Sequence, residues 1–372
     1  MSGPHIEFNA DNFKDPALVR SLVEAIRVLA DSGTLPSQVN LMEVCGTHTM
    51  SIARNGLRTL MPEGIRLLSG PGCPVCVTAN RDIDKLVALA QTPGVTIATF
   101  GDMVRVPGSS TSLQKLVAAG ASVQVVYSPL DALAYAQAHP DEQVVFAGVG
   151  FETTTPLIAM AVKRAEGLGL ENFSVLVANK NMPGALEAIV SDPQLKIDGL
   201  VLPGHVSTII GPEPYRFLAH DYGIPGVITG FDPVDVLQGV HMLLQQVAQG
   251  RAEIENAYPR AVMEQGNPVA VAAIDEVFET CDADWHGLGV IPASGYKMRP
   301  RYERFDAQVR FAPEPEPTRE HAGCKCGDIL RGITLPSDCP LFGKACTPEN
   351  PIGPCMVSSE GSCAAYYRFP LL

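Results

Sequence analysis

The sequence predicts an α/β protein in which two similar Rossmann-like parallel-sheet units face each other across a cleft, with a C-terminal cysteine-rich unit built around a metal. Three observations predict it. Short apolar runs of strand type alternate with helix-type runs from residue 39 to about residue 246, as expected for parallel strands covered on both faces by helices. Two segments of the first half are echoed in the second: Thr47-His48-Thr49-Met50-Ser51-Ile52-Ala53 by Thr153-Thr154-Thr155-Pro156-Leu157-Ile158-Ala159, and Gly101-Asp102-Met103 by Gly204-His205-Val206. The tail then carries Cys324, Cys326, Cys339, Cys346, Cys355 and Cys363, more than half of the 10 cysteines.

Taken in order, Leu18, Leu22, Val23, Ile26 and Leu29 recur at helical spacing and predict one amphipathic helix over 15–31, ending before Gly33. It belongs to an N-terminal helical segment, 1–38. Strands are expected at 39–44, 65–68, 95–100, 123–127, 144–147, 174–178, 199–202 and 226–229. With the echoes, they divide into a first α/β unit at 39–141 and a second at 142–246. Beyond about Gly250 the pattern is less regular, and Ala312-Pro313-Glu314-Pro315-Glu316-Pro317 reads as a stiff acidic linker inside a third unit, 247–372.

Forty acidic residues against 27 basic ones leave a formal charge of −13. No basic run occurs, so a nucleic-acid surface, which needs clustered Lys and Arg against phosphate, is excluded. No window approaches the ~18 apolar residues of a membrane span. The first residues lack the basic and apolar regions of a secretory leader, so the cytoplasm is the expected location. Ten cysteines in such a chain point to metal binding or redox chemistry rather than a disulfide framework.

Nearly every chemically distinctive cluster of the α/β region directly follows an expected strand. These are Cys45-Gly46-Thr47-His48-Thr49, Gly70-Pro71-Gly72-Cys73-Pro74-Val75-Cys76, the turn from Gly101 to Gly108, Gly150-Phe151-Glu152-Thr153-Thr154-Thr155, the turn from Asn179 to Gly184, and Pro203-Gly204-His205-Val206-Ser207. Ligands of open α/β sheets bind outside the carboxyl ends of the strands, so these turns should converge on one edge. Cys45, at a strand-to-helix turn, is a candidate nucleophile or metal ligand, with the helix N-terminus expected to lower its pKa. His48, three residues on, would share its side of the first turn and supply a second ligand or a proton. Cys73 and Cys76 form a C-x-x-C pair able to close a small disulfide or share a metal. Glu152, Asp102 and His205 are candidate proton-transfer groups, or helix caps.

In the tail, Cys324, Cys339, Cys346 and Cys363 are separated by 14, 6 and 16 residues. Four thiolates suit either zinc or a 4Fe-4S cluster. Cys326 and Cys355 are additional, and Cys281 stands in no motif, as a buried or incidental thiol.

These residues resemble a known family. Cys45-Gly46-Thr47-His48-Thr49, Gly70-Pro71-Gly72-Cys73-Pro74-Val75-Cys76, Gly150-Phe151-Glu152-Thr153-Thr154-Thr155-Pro156 and the tail from Gly353 to Tyr367 are similar to signature segments of the HypD family of NiFe hydrogenase maturation factors. The resemblance implies a redox-active scaffold rather than an enzyme with a defined small-molecule turnover. With HypC, such a scaffold holds the iron that receives two cyanides and one carbon monoxide, HypE docks transiently, and the hydrogenase large subunit is served indirectly. It also implies that Cys45 binds that iron with His48 close by, that Cys73 and Cys76 are a redox pair, and that Cys324, Cys339, Cys346 and Cys363 hold a 4Fe-4S cluster. A cluster-dependent thiol–disulfide oxidoreductase and a zinc-stabilised binding module are the competing expectations.

Overall fold

The computed structural model describes residues 14–370, so the first 13 residues of the expected N-terminal segment lie outside the described residues. The amphipathic pattern after Asp15 forms helix Pro16–Asp31, whose N-terminus is capped by the Asp15 carboxylate accepting from the Ala17 N–H at 2.7 Å. Its buried stripe, Leu22, Val23 and Ile26, packs on the long helix Pro233–Gln249.

All the strands expected up to residue 229 form, within two residues of their expected bounds. They are β1 (Val39–Glu43), β2 (Ile65–Ser69), β3 (Val95–Thr99), β4 (Ser122–Val125), β5 (Gln143–Gly148), β6 (Phe173–Val177), β7 (Gly199–Pro203) and β8 (Gly226–Thr229). β9 (Ile254–Asn256) follows. They build two parallel sheets, one of order β2-β1-β7-β8-β9 and one of order β4-β3-β5-β6. Helices Pro16–Asp31 and Pro233–Gln249 cover the first sheet's core, while Pro129–Ala138 and Thr155–Gly167 pack on the second.

The sheets do not divide at residue 141. β1 and β2 pair with β7 and β8, whereas β3 and β4 pair with β5 and β6. The echoes explain the order. Val39 and Gln143, Ile65 and Phe173, Val95 and Gly199, and Ser122 and Gly226 open equivalent strands at nearly constant spacing. Replacing each strand of β2-β1-β7-β8 by its equivalent yields β6-β5-β3-β4, the second sheet read in reverse. Each half of the sequence therefore contributes one strand pair to each sheet. Periodicity marks a strand locally, but pairing is decided by contacts between residues far apart in the chain.

The region beyond 250 contains a structure without an expected counterpart, the antiparallel hairpin β10 (Phe278–Trp285) and β11 (Gly289–Met298). Between its buried ends β10 alternates half-buried and exposed residues, and fully buried Trp285 donates its indole N–H to Ser294 Oγ at 2.7 Å. Isolated bridges tie Trp285 to Thr78 and Gly295 to Lys180, so the hairpin fastens the turn after Cys76 to the turn after β6.

Candidate metal and thiol site

β1 runs in the middle of its sheet, and its carboxyl end delivers Cys45 as the N-cap of helix Gly46–Arg54, with extended backbone (φ −149°, ψ 126°). The glycine-rich turn after β2 lies directly on it. Gly46 N–H donates to Gly72 O at 3.0 Å, and a Cβ on Gly72 would fall 2.1 Å from the Cys45 nitrogen. From the other side comes the C-terminal tail: Thr47 Oγ1 donates to Glu360 Oε1 at 2.7 Å, and a Cβ on Gly46 would meet Glu360 Cβ at 2.5 Å. The turns after β1, β2, β5, β6 and β7 thus meet around a cavity of about 430 Å³, lined among others by Cys45, Gly72, Thr153, Met182, His205 and Glu360. Five of the six turns expected to converge do so, and both sheets contribute; the turn from Gly101 to Gly108 after β3 is not in the lining.

The electrostatics at Cys45 differ from the expectation of a lowered pKa. Burial, reinforced by the charge of Glu360, pushes the thiol up to about 12, against the smaller opposing effect of the His48 and Thr47 backbone N–H groups. A metal at Cys45 must therefore displace a proton. His48 is also placed otherwise than expected. It is fully buried, with Nε2 donating to Gly230 O at 2.9 Å and lying 2.8 Å from Thr229 Oγ1, and its ring packs on Phe231 at 4.7 Å. Burial lowers its pKa to about 4, so the ring is neutral. His205, stacked on Phe231 at 3.9 Å, is the imidazole that lines the cavity with Cys45. Asp102 pairs with Arg105 at 3.9 Å and is not part of that lining.

Two carboxyl groups underlie the cavity. Glu43 accepts from Cys45 N–H at 3.1 Å and from Thr49 Oγ1 at 2.5 Å; Glu152 accepts from Met182 N–H at 2.9 Å while its Oε2 is buried without a partner. Burial raises both to about 7. For Glu152, a folded-state pKa above the ordinary 4.5 means that its contribution to stability is complete below pH 4.5 and declines as pH rises towards 7. The loss is on the order of 3 kcal/mol. Urea unfolding at about pH 5 and about pH 8 should show this decline in the parent chain and a clearly smaller one in Glu152→Gln. Equal slopes in the two proteins would contradict it.

Cys73 caps helix Pro74–Val77 and its sulfur accepts from Cys76 N–H at 3.3 Å. Cys76, fully buried, touches Cys355, and Cys355 Sγ lies 2.6 Å from Cys326 Sγ. Helix Pro354–Val357 packs on helix Pro74–Val77, which brings these thiols together. Cys326 and Cys355, without a role in the sequence reading, therefore bridge the C-x-x-C pair to the tail. The signal available was the Gly353-Pro354-Cys355 turn, a relative of Gly70-Pro71-Gly72-Cys73.

One small hollow is lined by six cysteines, Cys324, Cys326, Cys339, Cys346, Cys355 and Cys363, together with Ile329 and Phe342. Cys363 feels Cys346, Cys324 and Cys339, whose charges add to burial in pushing its thiol up. A Cβ on Gly353 would stand 2.8 Å from Cys324 Sγ. Among the described residues no three His, Cys, Asp or Glu side chains converge as a single-ion site. Six thiols around an apolar hollow make a sulfur-only donor set. At its rim His286 contacts Cys324 and lies 3.3 Å from Glu320 Oε1; burial alone would lower its pKa, but these two partners outweigh it and raise it to about 9. Cys281, half-buried on β10, stands apart from these thiols beside Lys180 and Lys297. No helix among the described residues is long and apolar enough to cross a membrane.

The family model described as "HypD: Hydrogenase formation hypA family" matches residues 17–370. The chain is 48% identical over 367 residues to the hydrogenase maturation factor HypD of Rhodobacter capsulatus, covering 97% of each chain. It is 45% identical over 367 residues to that of Rhizobium leguminosarum bv. viciae, covering 96% of this chain and 94% of the relative. It is 43% identical over 362 residues to that of Escherichia coli (strain K12), covering 96% and 97%.

Proposed function

The chain belongs to the HypD family of hydrogenase maturation factors, and on that premise we propose that it is the scaffold on which the Fe(CN)2CO group of the NiFe active site is assembled, with Cys45 holding the iron. HypC is the partner at the cavity mouth, HypE docks transiently on the pair, and the hydrogenase large subunit receives the product. The observation that supports this reading best is the run of thiols from the tail towards the cavity: the hollow with Cys326 and Cys355, then Cys76 and Cys73, whose Gly72 turn lies on the Cys45 backbone.

Of the six cysteines that line the hollow, Cys324, Cys339, Cys346 and Cys363 are assigned as the holders of a 4Fe-4S cluster, which a sulfur-only donor set fits. Bound there, such a cluster supplies electrons one at a time. The neighbouring thiols handle electrons in pairs. From a Cys73–Cys76 disulfide, attack by the Cys355 thiolate on Cys76 gives a mixed disulfide and releases the Cys73 thiolate. Attack by Cys326 on Cys355 then releases Cys76. Two electrons and two protons have moved to the C-x-x-C pair, beside the iron-binding thiol. At the cavity, His205 and Glu360 are the polar groups placed to bind or orient the ligands of the iron, and the enclosing turns restrict water.

Anaerobic purification followed by metal and sulfide analysis tests the tail assignment. The parent chain should carry about four iron and four acid-labile sulfide with thiolate-to-iron absorption, and Cys363→Ala should lose most of both. Zinc in place of iron, or an unchanged iron and sulfide content in the variant, would refute it.

A further inference from the structure

The tip of the β10–β11 hairpin is built against the tail at backbone distance. Gly287, at φ 71°, would place a Cβ 2.4 Å from Gly327 Cα, and a Cβ on Gly327 would lie 2.5 Å from Gly287 O. No larger residue fits either position without moving backbone, so the contact holds only with glycine on both sides. It sets the hairpin tip beside the start of helix Cys326–Leu330, two residues from Cys324. The residue before Gly287 is His286. Its backbone N–H donates to Val77 O at 3.0 Å, which anchors it to the turn after Cys76. Its side chain is 5% exposed, with Nδ1 3.3 Å from Glu320 Oε1 but without a hydrogen-bond partner, and the ring lies beside Cys324. The imidazole thus stands next to both the Glu320 carboxylate and Cys324, one of the cysteines that line the hollow.

Building on the assignment of that hollow as the cluster site, we propose that His286 donates its ring N–H to the Cys324 sulfur and so sets the reduction potential of the cluster, with Glu320 orienting the ring. Reduction adds negative charge that spreads onto the ligand sulfurs, so a donor aimed at one of them binds the reduced state more strongly and raises the potential. A carboxylate behind the ring fixes its orientation, as carboxylates do behind metal-bound histidines. His286 is a positioning and tuning residue here, and supplies no ligand.

The test is a mediated redox titration of the full chain, loaded anaerobically with iron and sulfide and followed by electron paramagnetic resonance. His286→Phe should keep the parent's iron and sulfide content and titrate at a lower potential, with the reduction equilibrium weakened about tenfold, equivalent to about 59 mV for one electron. His286→Gln, which keeps an N–H donor, should recover most of the shift. In a second measurement, the reduced parent chain labelled with 15N-histidine should show a weak nitrogen coupling that disappears in His286→Gln. This decides the matter even where His286→Phe loses the cluster. Intact clusters that titrate at the parent potential in both variants, or no histidine coupling in the parent, overturn the inference alone. A parent chain that takes up neither iron nor sulfide overturns the cluster assignment and the inference with it.

Discussion

Cys45→Ala is expected to abolish maturation while leaving the tail intact. The variant complex with HypC should show none of the infrared bands of cyanide and carbon monoxide bound to iron, whereas iron and sulfide held by the tail should match the parent. The physical reason is local. Among the described residues Cys45 is the one thiol lining the cavity where the strand ends of both sheets meet, and an electron-rich sulfur suits iron with such ligands. Preserved maturation in the variant would remove the scaffold reading. Preserved dithiol turnover together with lost maturation would show that the sulfur run operates independently of Cys45, and full dithiol turnover in a parent chain that never binds iron would favour the oxidoreductase alternative.

Gly72→Ala should be the most damaging of the conservative substitutions near the site. Its Cβ would lie 2.1 Å from the Cys45 nitrogen, 2.3 Å from the Val44 carbonyl carbon and 2.4 Å from Cys45 Cα. All three are backbone atoms at the end of a central strand, so no side chain can swing away to relieve the overlap. The turn carrying Cys73 must move off β1, at a cost of about 3 kcal/mol or more. A lower urea midpoint and faster alkylation of Cys45 are the expected readings. Gly167→Ala is the control, because its Cβ meets nothing within 4 Å and it closes helix Thr155–Gly167. That change should be neutral or slightly stabilising. Indistinguishable stabilities for the two variants would show that the Gly72 contact is not enforced in solution.

Much of the site was legible because its signals are local. Glycine-rich turns after apolar runs located Cys45 and Cys73 at the carboxyl ends of β1 and β2, and the convergence of such turns anticipated the cavity. The behaviour of those groups was not legible. Cys45 sits at a helix N-terminus, which favours thiolate, yet burial and Glu360, a residue from the far end of the chain, dominate. His48 lies within the first helical turn after Cys45, yet the end of β8 captures its ring through Gly230 and Thr229. The contact of Cys355 with Cys76 follows from the packing of two four-residue helices that no pattern in the sequence pairs. The β10–β11 hairpin was missed because its alternating positions are largely charged or small rather than strongly apolar.

The amino-acid sequence by itself determined where the strands and turns fall and which atoms are available for chemistry, because helical and strand periodicity, glycine turns and sulfur are properties of neighbouring residues. Only the tertiary structure decided how the two echoing halves exchange strand pairs to build their sheets, and which thiols touch. Only there, too, was it decided that Cys45 keeps its proton and that His286 reaches Cys324. Pairing, burial and charge proximity depend on residues tens to hundreds of positions apart, which come together only when the chain closes its core.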